Sequence, residues 1–186
     1  MTVVSPFDDL DTMAGQGTVG LELSDHLREE GVTPDAFVVN CSGGGLASGT
    51  IEAMETAFPG IEKFIVEPFG YDKMARSLKS GQACSNPEVP VTVMDGIGGP
   101  VAGKLPVEAL LRHRITGLTV TDEEALSAVA AAFQSLKLVI EPGGAASLAA
   151  VLAQKAEFQG KTVALVASGG NVDPQVYVSA LEKYSK

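Results

Sequence analysis

The sequence predicts an α/β fold: three layers, α/β/α, built on a mostly parallel sheet with helices on both faces. Two observations carry this. Short runs that are apolar throughout, rather than alternating, read as strands buried on both sides, and each is followed by a stretch with helical spacing. The turns that end two of these strands are glycine clusters, Ser42–Gly45 and Ser168–Asn171, where the chain reverses into a helix.

Taken in order, residues 14–30 read as a helix: Val19, Leu23 and Leu27 recur at helical spacing and Gly31 follows as a stop. Residues 36–40 form a short apolar strand. Gly43 to Gly45 turn the chain into a helix over 46–58, which Pro59-Gly60 ends. Residues 63–67 are the next strand, and 72–80 a short helix stopped by Gly81. Residues 85–106, rich in Gly and Pro, read as mainly loop. A strand over 118–120 leads into Thr121-Asp122-Glu123-Glu124, a cap followed by acids, and a helix to about Ser135. Leu138-Val139-Ile140 precedes Glu141-Pro142-Gly143-Gly144, an Ala-rich helix covers 145–158, a strand covers 163–167, and a terminal helix follows. No repeat, low-complexity segment or linker divides the 186 residues, so residues 1–186 read as one domain.

Composition excludes several functions. Thirteen basic against 23 acidic residues give a net charge of −10, which repels nucleic acid. No apolar run approaches the roughly 20 residues that span a bilayer, and the start lacks a basic-then-apolar leader. The expectation is a cytoplasmic protein without a membrane partner. Cys41, Cys84, His26 and His113 make neither a disulfide framework nor a zinc pattern. Cys41 reads as a small residue lining a tight turn. There is no Gly-x-Ser-x-Gly elbow.

The chemistry concentrates at Cys41-Ser42-Gly43-Gly44-Gly45-Leu46. Consecutive glycines let backbone N–H groups converge, and the following helix points its positive end at the same spot, which together hold a phosphate dianion without a lysine. The Gly-Lys-Ser/Thr ending of nucleotide loops is absent, as is the spaced-glycine dinucleotide pattern. The competing reading is a ligand-free tight turn. Ser168-Gly169-Gly170-Asn171 reads equally as a second site loop or a plain turn, and Glu141-Pro142-Gly143-Gly144 as a site segment or a closely packed helix start. In parallel sheets ligands bind beyond the carboxyl ends of the strands, where both glycine clusters fall.

In this order and at these separations the segments resemble the threonine dehydratase, serine racemase and hydroxyaspartate dehydratase group of fold-type II pyridoxal-phosphate enzymes. The resemblance begins at Pro6-Phe7-Asp8-Asp9 and Ala14-Gly15-Gln16-Gly17-Thr18. It continues through the glycine loop, Val66-Glu67-Pro68, Arg76-Ser77-Leu78, Asp95-Gly96 and residues 137–146, and ends at residues 168–173. It implies pyridoxal 5'-phosphate as cofactor and an amino acid as substrate. Ser42, Gly43, Gly44, Gly45 and Leu46 would hold the cofactor's phosphate. Ser168 would meet the pyridine nitrogen, Gly96 would lie near the ring, and Glu141 would stand beside the pocket or serve as a capped surface acid. A hydroxyl partner leaves the ring nitrogen unprotonated, which favours loss of a β-substituent.

Relatives that bind a divalent cation do so through a glutamate, a carbonyl four residues on and an aspartate six residues on. These positions are Glu67, Tyr71 and Lys73 here. A protonated lysine cannot ligate a cation, so the sequence argues against a bound ion; an ammonium at Lys73 pairing with Glu67 is the alternative.

The Schiff-base lysine of the group, in a Ser-x-Lys-x-Arg-Gly setting, has no counterpart here, and no catalytic residue is assigned within this chain. The expectation is the C-terminal, cofactor-cradling part of a larger domain whose N-terminal half is absent. An exposed sheet edge would then favour self-association or pairing with a complementing N-terminal half. Four readings stand: a dehydratase or ammonia-lyase on threonine, serine or hydroxyaspartate, an amino-acid racemase, a non-catalytic pyridoxal-phosphate- or phosphate-binding domain, and a remnant with a new activity.

Overall fold

A computed structural model describes residues 4–86, 88 and 91–185. Met1–Val3, Lys186, and Pro87, Val89 and Pro90 of the expected loop lie outside the described residues. The elements run α1 (Leu10–Glu29), β1 (Ala36–Asn40), α2 (Gly45–Ala57), β2 (Glu62–Pro68), α3 (Lys73–Ser80), a 3₁₀ turn (Asp95–Ile97), α4 (Lys104–Leu110), β3 (Ile115–Val120), α5 (Asp122–Ala131) continued by a π turn (Ala132–Leu136), α6 (Ala146–Leu152), β4 (Val163–Leu165) and α7 (Pro174–Tyr184). The four strands form one sheet in the order β3-β2-β1-β4, with every pairing parallel.

The central strand β1 is buried along its whole length, and its side chains divide between two cores. Ala36 and Val38, with Phe64, Val66, Leu118 and Val120, face the layer of α5 and α6. Phe37 and Val39, with Ile65, face Ile51 and Met54 of α2, Met74 of α3 and Leu110 of α4. The continuous apolar runs are therefore strands covered on both faces, which is the three-layer arrangement the sequence predicts. Among the described residues no helix is long and apolar enough to cross a membrane.

Caps explain the element boundaries. Asp9 Oδ1 accepts the Thr12 amide at 2.9 Å and starts α1 four residues earlier than its apolar spacing suggests. Thr121 and Glu124 form the reciprocal capping box of α5. One boundary is sharpened and one expectation is corrected. The stretch 85–106 is not loop to its end: α4 begins at Lys104, with Pro106 in the first turn, where a missing N–H leaves no hydrogen bond unmade, and Asp8 Oδ1 accepts the Leu105 amide at 2.8 Å. The Ala-rich helix does not reach Phe158. It ends at Leu152, Gln154 adopts a left-handed φ of +50°, and Phe158 turns inward to pack edge-on against Phe64.

Candidate active site at the carboxyl ends of the strands

Strand β1 ends at Asn40, and Cys41 to Gly44 turn directly into α2. Gly44 has φ +103°, a conformation that glycine adopts without strain, and a side chain there would meet the Met74 methyl at 2.4 Å. No side chain caps α2, and no acid lies in its first turn. The amides of Gly45, Leu46 and Ala47 therefore have no acceptor within their own helix, and they sit at its positive end. The ring of Phe7 packs on Gly43, and the Gly103 amide donates to the Gly43 carbonyl at 2.9 Å, so the loop is held from both flanks.

Asn40 ties this loop to the far wall of the site. Its side chain is 2 % exposed and uses both ends of its amide. Nδ2 donates to the Gly144 carbonyl at 2.9 Å, the Val166 carbonyl at 3.3 Å and Ser168 Oγ at 3.1 Å, and Oδ1 accepts the Ser147 amide at 2.6 Å. Ser168 Oγ thus has an acceptor lone pair engaged, and its own proton is left to donate. Gly144 permits the convergence: a Cβ there would stand 1.5 Å from the Ser168 carbonyl oxygen.

Glu141 closes one side. Its Oε2 accepts the Asn171 amide at 3.1 Å, and its Oε1 lies against Gly96 and Gly169, where added Cβ atoms would come within 2.7 and 2.5 Å. Opposite, Ser42 Oγ accepts the Gly99 amide at 3.3 Å. The result is one cavity of about 430 Å³ whose walls include Ser42, Gly43, Gly44, Gly45, Leu46, Gly96, Glu141 and Ser168. Every residue that the sequence singled out for the cofactor lines it. Phe7 and Asn40 line it too, and sequence reasoning missed both as site residues. The one hint for Asn40 is a polar residue ending an apolar strand one position before a cysteine and a glycine loop.

Cys41 is buried, and burial pushes its thiol well above the usual range, as does the Glu67 carboxylate; the thiol stays protonated and unreactive. Glu67, near the end of β2, is fully buried. Its Oε1 accepts the Met74 amide and its Oε2 the Ala75 amide, both at 2.9 Å. Burial pushes its carboxyl up to about 7, against the pull of these two amides and of Lys73, and burial likewise pushes the Lys73 ammonium down. Tyr71 does not converge on this pair through its side chain: its hydroxyl accepts the Val91 amide at 3.1 Å.

An all-parallel sheet with an uncapped glycine-turned helix at its carboxyl edge, facing a serine hydroxyl across a cavity, is an arrangement in which parallel sheets place their ligand sites. Comparison with known proteins gives the family. The sequence profile of the family described as "Pyridoxal-phosphate dependent enzyme" matches residues 1–169, and the chain belongs to that family. It is 37% identical over 176 residues to a serine racemase of Dictyostelium discoideum, covering 92% of this chain and 52% of that protein. It is 36% identical over 170 residues to an L-threonine ammonia-lyase of Thermotoga maritima, covering 91% and 41%. The crystal structure of a threonine deaminase from T.th. superposes with a TM-score of 0.85 at 39% identity, covering 90% of this chain and 60% of that one. The fold is thus that of the fold-type II enzymes, and the chain spans about half the length of the curated relatives it matches.

Proposed function

We propose that this chain is the cofactor-cradling portion of a pyridoxal-phosphate-dependent amino-acid lyase, a dehydratase or ammonia-lyase acting on threonine, serine or hydroxyaspartate. The observation that carries the reading is the convergence of the glycine loop, Gly96, Glu141 and Ser168 on one cavity. The free first-turn amides of α2 bind the phosphate. Ser168, its lone pair engaged by Asn40, would donate a hydrogen bond to the pyridine nitrogen while keeping its proton, which leaves that nitrogen uncharged. When bound, pyridoxal phosphate supplies an electron sink for bond cleavage at the substrate's α-carbon. Glu141, fixed by the Asn171 amide, borders the ring with Gly96. The lysine that would capture the cofactor belongs to the N-terminal portion of the family's domain, which residues 1–186 do not include. The serine racemase relative supports amino-acid racemisation as the second reading.

Equilibrium dialysis against pyridoxal phosphate, with inorganic phosphate as competitor, tests the cradle. Saturable binding that Gly44→Val abolishes is the expected result; unchanged binding in that variant would mean the loop has been misread. Keto-acid release from threonine, serine and hydroxyaspartate, against racemisation of serine, separates the two activities.

A further inference from the structure

The placement of Lys73 runs against elementary electrostatics. It is the first residue of the eight-residue helix α3, where the helix dipole favours an acid and disfavours a cation. Its side chain is nevertheless 0 % exposed. Its Nζ makes no hydrogen bond among the described residues and lies 3.8 Å from Glu67 Oε1. Burying an ammonium is costly unless a counter-charge faces it, so the position makes sense only as the partner of the carboxylate. Glu67 in turn has the two α3 amides as donors, which satisfy its hydrogen bonding but not its charge.

The divalent cation implied by the fold family does not fit these residues. The one buried carboxylate faces an ammonium at the position where the third ligand would stand, and a protonated lysine offers no lone pair to a cation. Among the described residues no group of three His, Cys, Asp or Glu side chains stands close enough to hold a metal.

The pair is also coupled to the cradle. Glu67 holds the Met74 amide, and the Met74 methyl fills the space directly beside Gly44. We propose that the Lys73 ammonium is a built-in counter-ion for Glu67 that seats α3 against the glycine loop, so that fold and cradle are independent of divalent metal. Lys73 is then a positioning residue acting through Met74. The cradle part of this inference rests on the reading of the glycine loop given above; the metal part does not.

Thermal unfolding of the full chain without cofactor, in excess EDTA and in millimolar MgCl₂ or MnCl₂, tests it. The Tm of the wild type should not respond to either salt, and calorimetry should detect no binding of either metal. Lys73→Asp should melt lower in EDTA and regain roughly 5–10 °C in metal, the shift expected for a ligand well above its dissociation constant. Lys73→Met should melt lower with no metal response, and adding Glu67→Gln to it should recover stability by removing the unbalanced carboxylate. If Lys73→Asp folds in neither condition, this last pair decides. Overturning results are a wild-type Tm that rises with either metal, calorimetric metal binding by the wild type, a Lys73→Asp that folds but ignores both salts, or a double variant no more stable than Lys73→Met. Dialysis should also show pyridoxal phosphate bound about tenfold more weakly by Lys73→Met; equal affinity would break the coupling to the loop. A wild type that binds no pyridoxal phosphate would sink the cradle reading and leave the metal results standing.

Discussion

The two ends of the sheet carry cavities of opposite character. At the amino ends of β2 and β3 lies the larger, about 1000 Å³, bordered by Glu55, Lys63, Lys79, Arg112, His113 and Arg114. Its order comes from long side chains in ion pairs: Lys63 with Glu55, and Arg112 with Glu52 at 2.8 Å, the latter pair 67 % and 43 % exposed. At the carboxyl ends lies the smaller, about 430 Å³, whose walls are rich in glycine backbone and carry the polar side chains of Asn40, Ser42, Glu141 and Ser168, each held by a hydrogen bond. What marks a site is preorganisation: polar groups fixed before the ligand arrives, with no side-chain entropy left to lose.

Substitutions at the two ends should therefore separate sharply in stability and in cofactor affinity. The largest effect belongs to Asn40→Ala, which leaves the Ser147 amide buried without a partner and the Gly144 and Val166 carbonyls with one donor each, the Ser168 amide and the Ser147 hydroxyl. We expect a loss of about 3 kcal/mol in urea denaturation together with loss of pyridoxal phosphate binding. A loss under ~1 kcal/mol would show that the network carries little.

Gly44→Ala comes next. It places a Cβ at φ +103° against the Met74 methyl, for a cost of about 1–2 kcal/mol and a matching fall in cofactor affinity measured by dialysis.

At the amino end, Glu55→Gln should cost about 1 kcal/mol at neutral pH. The Lys63 hydrogen bond holds the Glu55 carboxyl below its usual value near 4.5. A depressed carboxylate stabilises fully above its unfolded value, and the contribution is lost as pH falls through the folded one. The difference between wild type and variant should therefore vanish on acidification; persistence at low pH would assign it to packing. Arg112→Ala should be smallest, under about 0.5 kcal/mol and without effect on cofactor affinity. A measurable loss of affinity there would break the distinction between the two ends.

The same contrast explains what was legible in the sequence. Buried strands announce themselves through composition: β1 coincides with its apolar run, and β2 extends its run by one residue at each end. Strand β3 starts at Ile115 rather than Leu118, because Thr116 and Gly117 lie exposed at the sheet margin and carry no apolar signal. The glycine loop was legible as a candidate site because it ends a buried strand, whereas Glu141 and Ser168 stood out only through the order of motifs that resembles the family; all three line one cavity. Asn40 was not legible, because its role is written in contacts with residues 104 to 128 positions away in the chain. Lys73 was legible as a departure from a pattern; its complete burial was not, since local sequence gives no sign that a charged helix start will be covered.

Asn40 and Ser42 are two residues apart on one chain segment, yet one grips the wall that carries Ser168 and the other opens the glycine loop. The span between the two ends of the cavity is therefore set by the rigid end of β1, not by the relative motion of separate loops. In hydrogen-exchange terms, the amides of Val38 to Cys41 should open only with global unfolding, while the exposed ends of the sheet exchange through local fraying. A cavity gauged in this way keeps a fixed length for as long as the sheet stays folded.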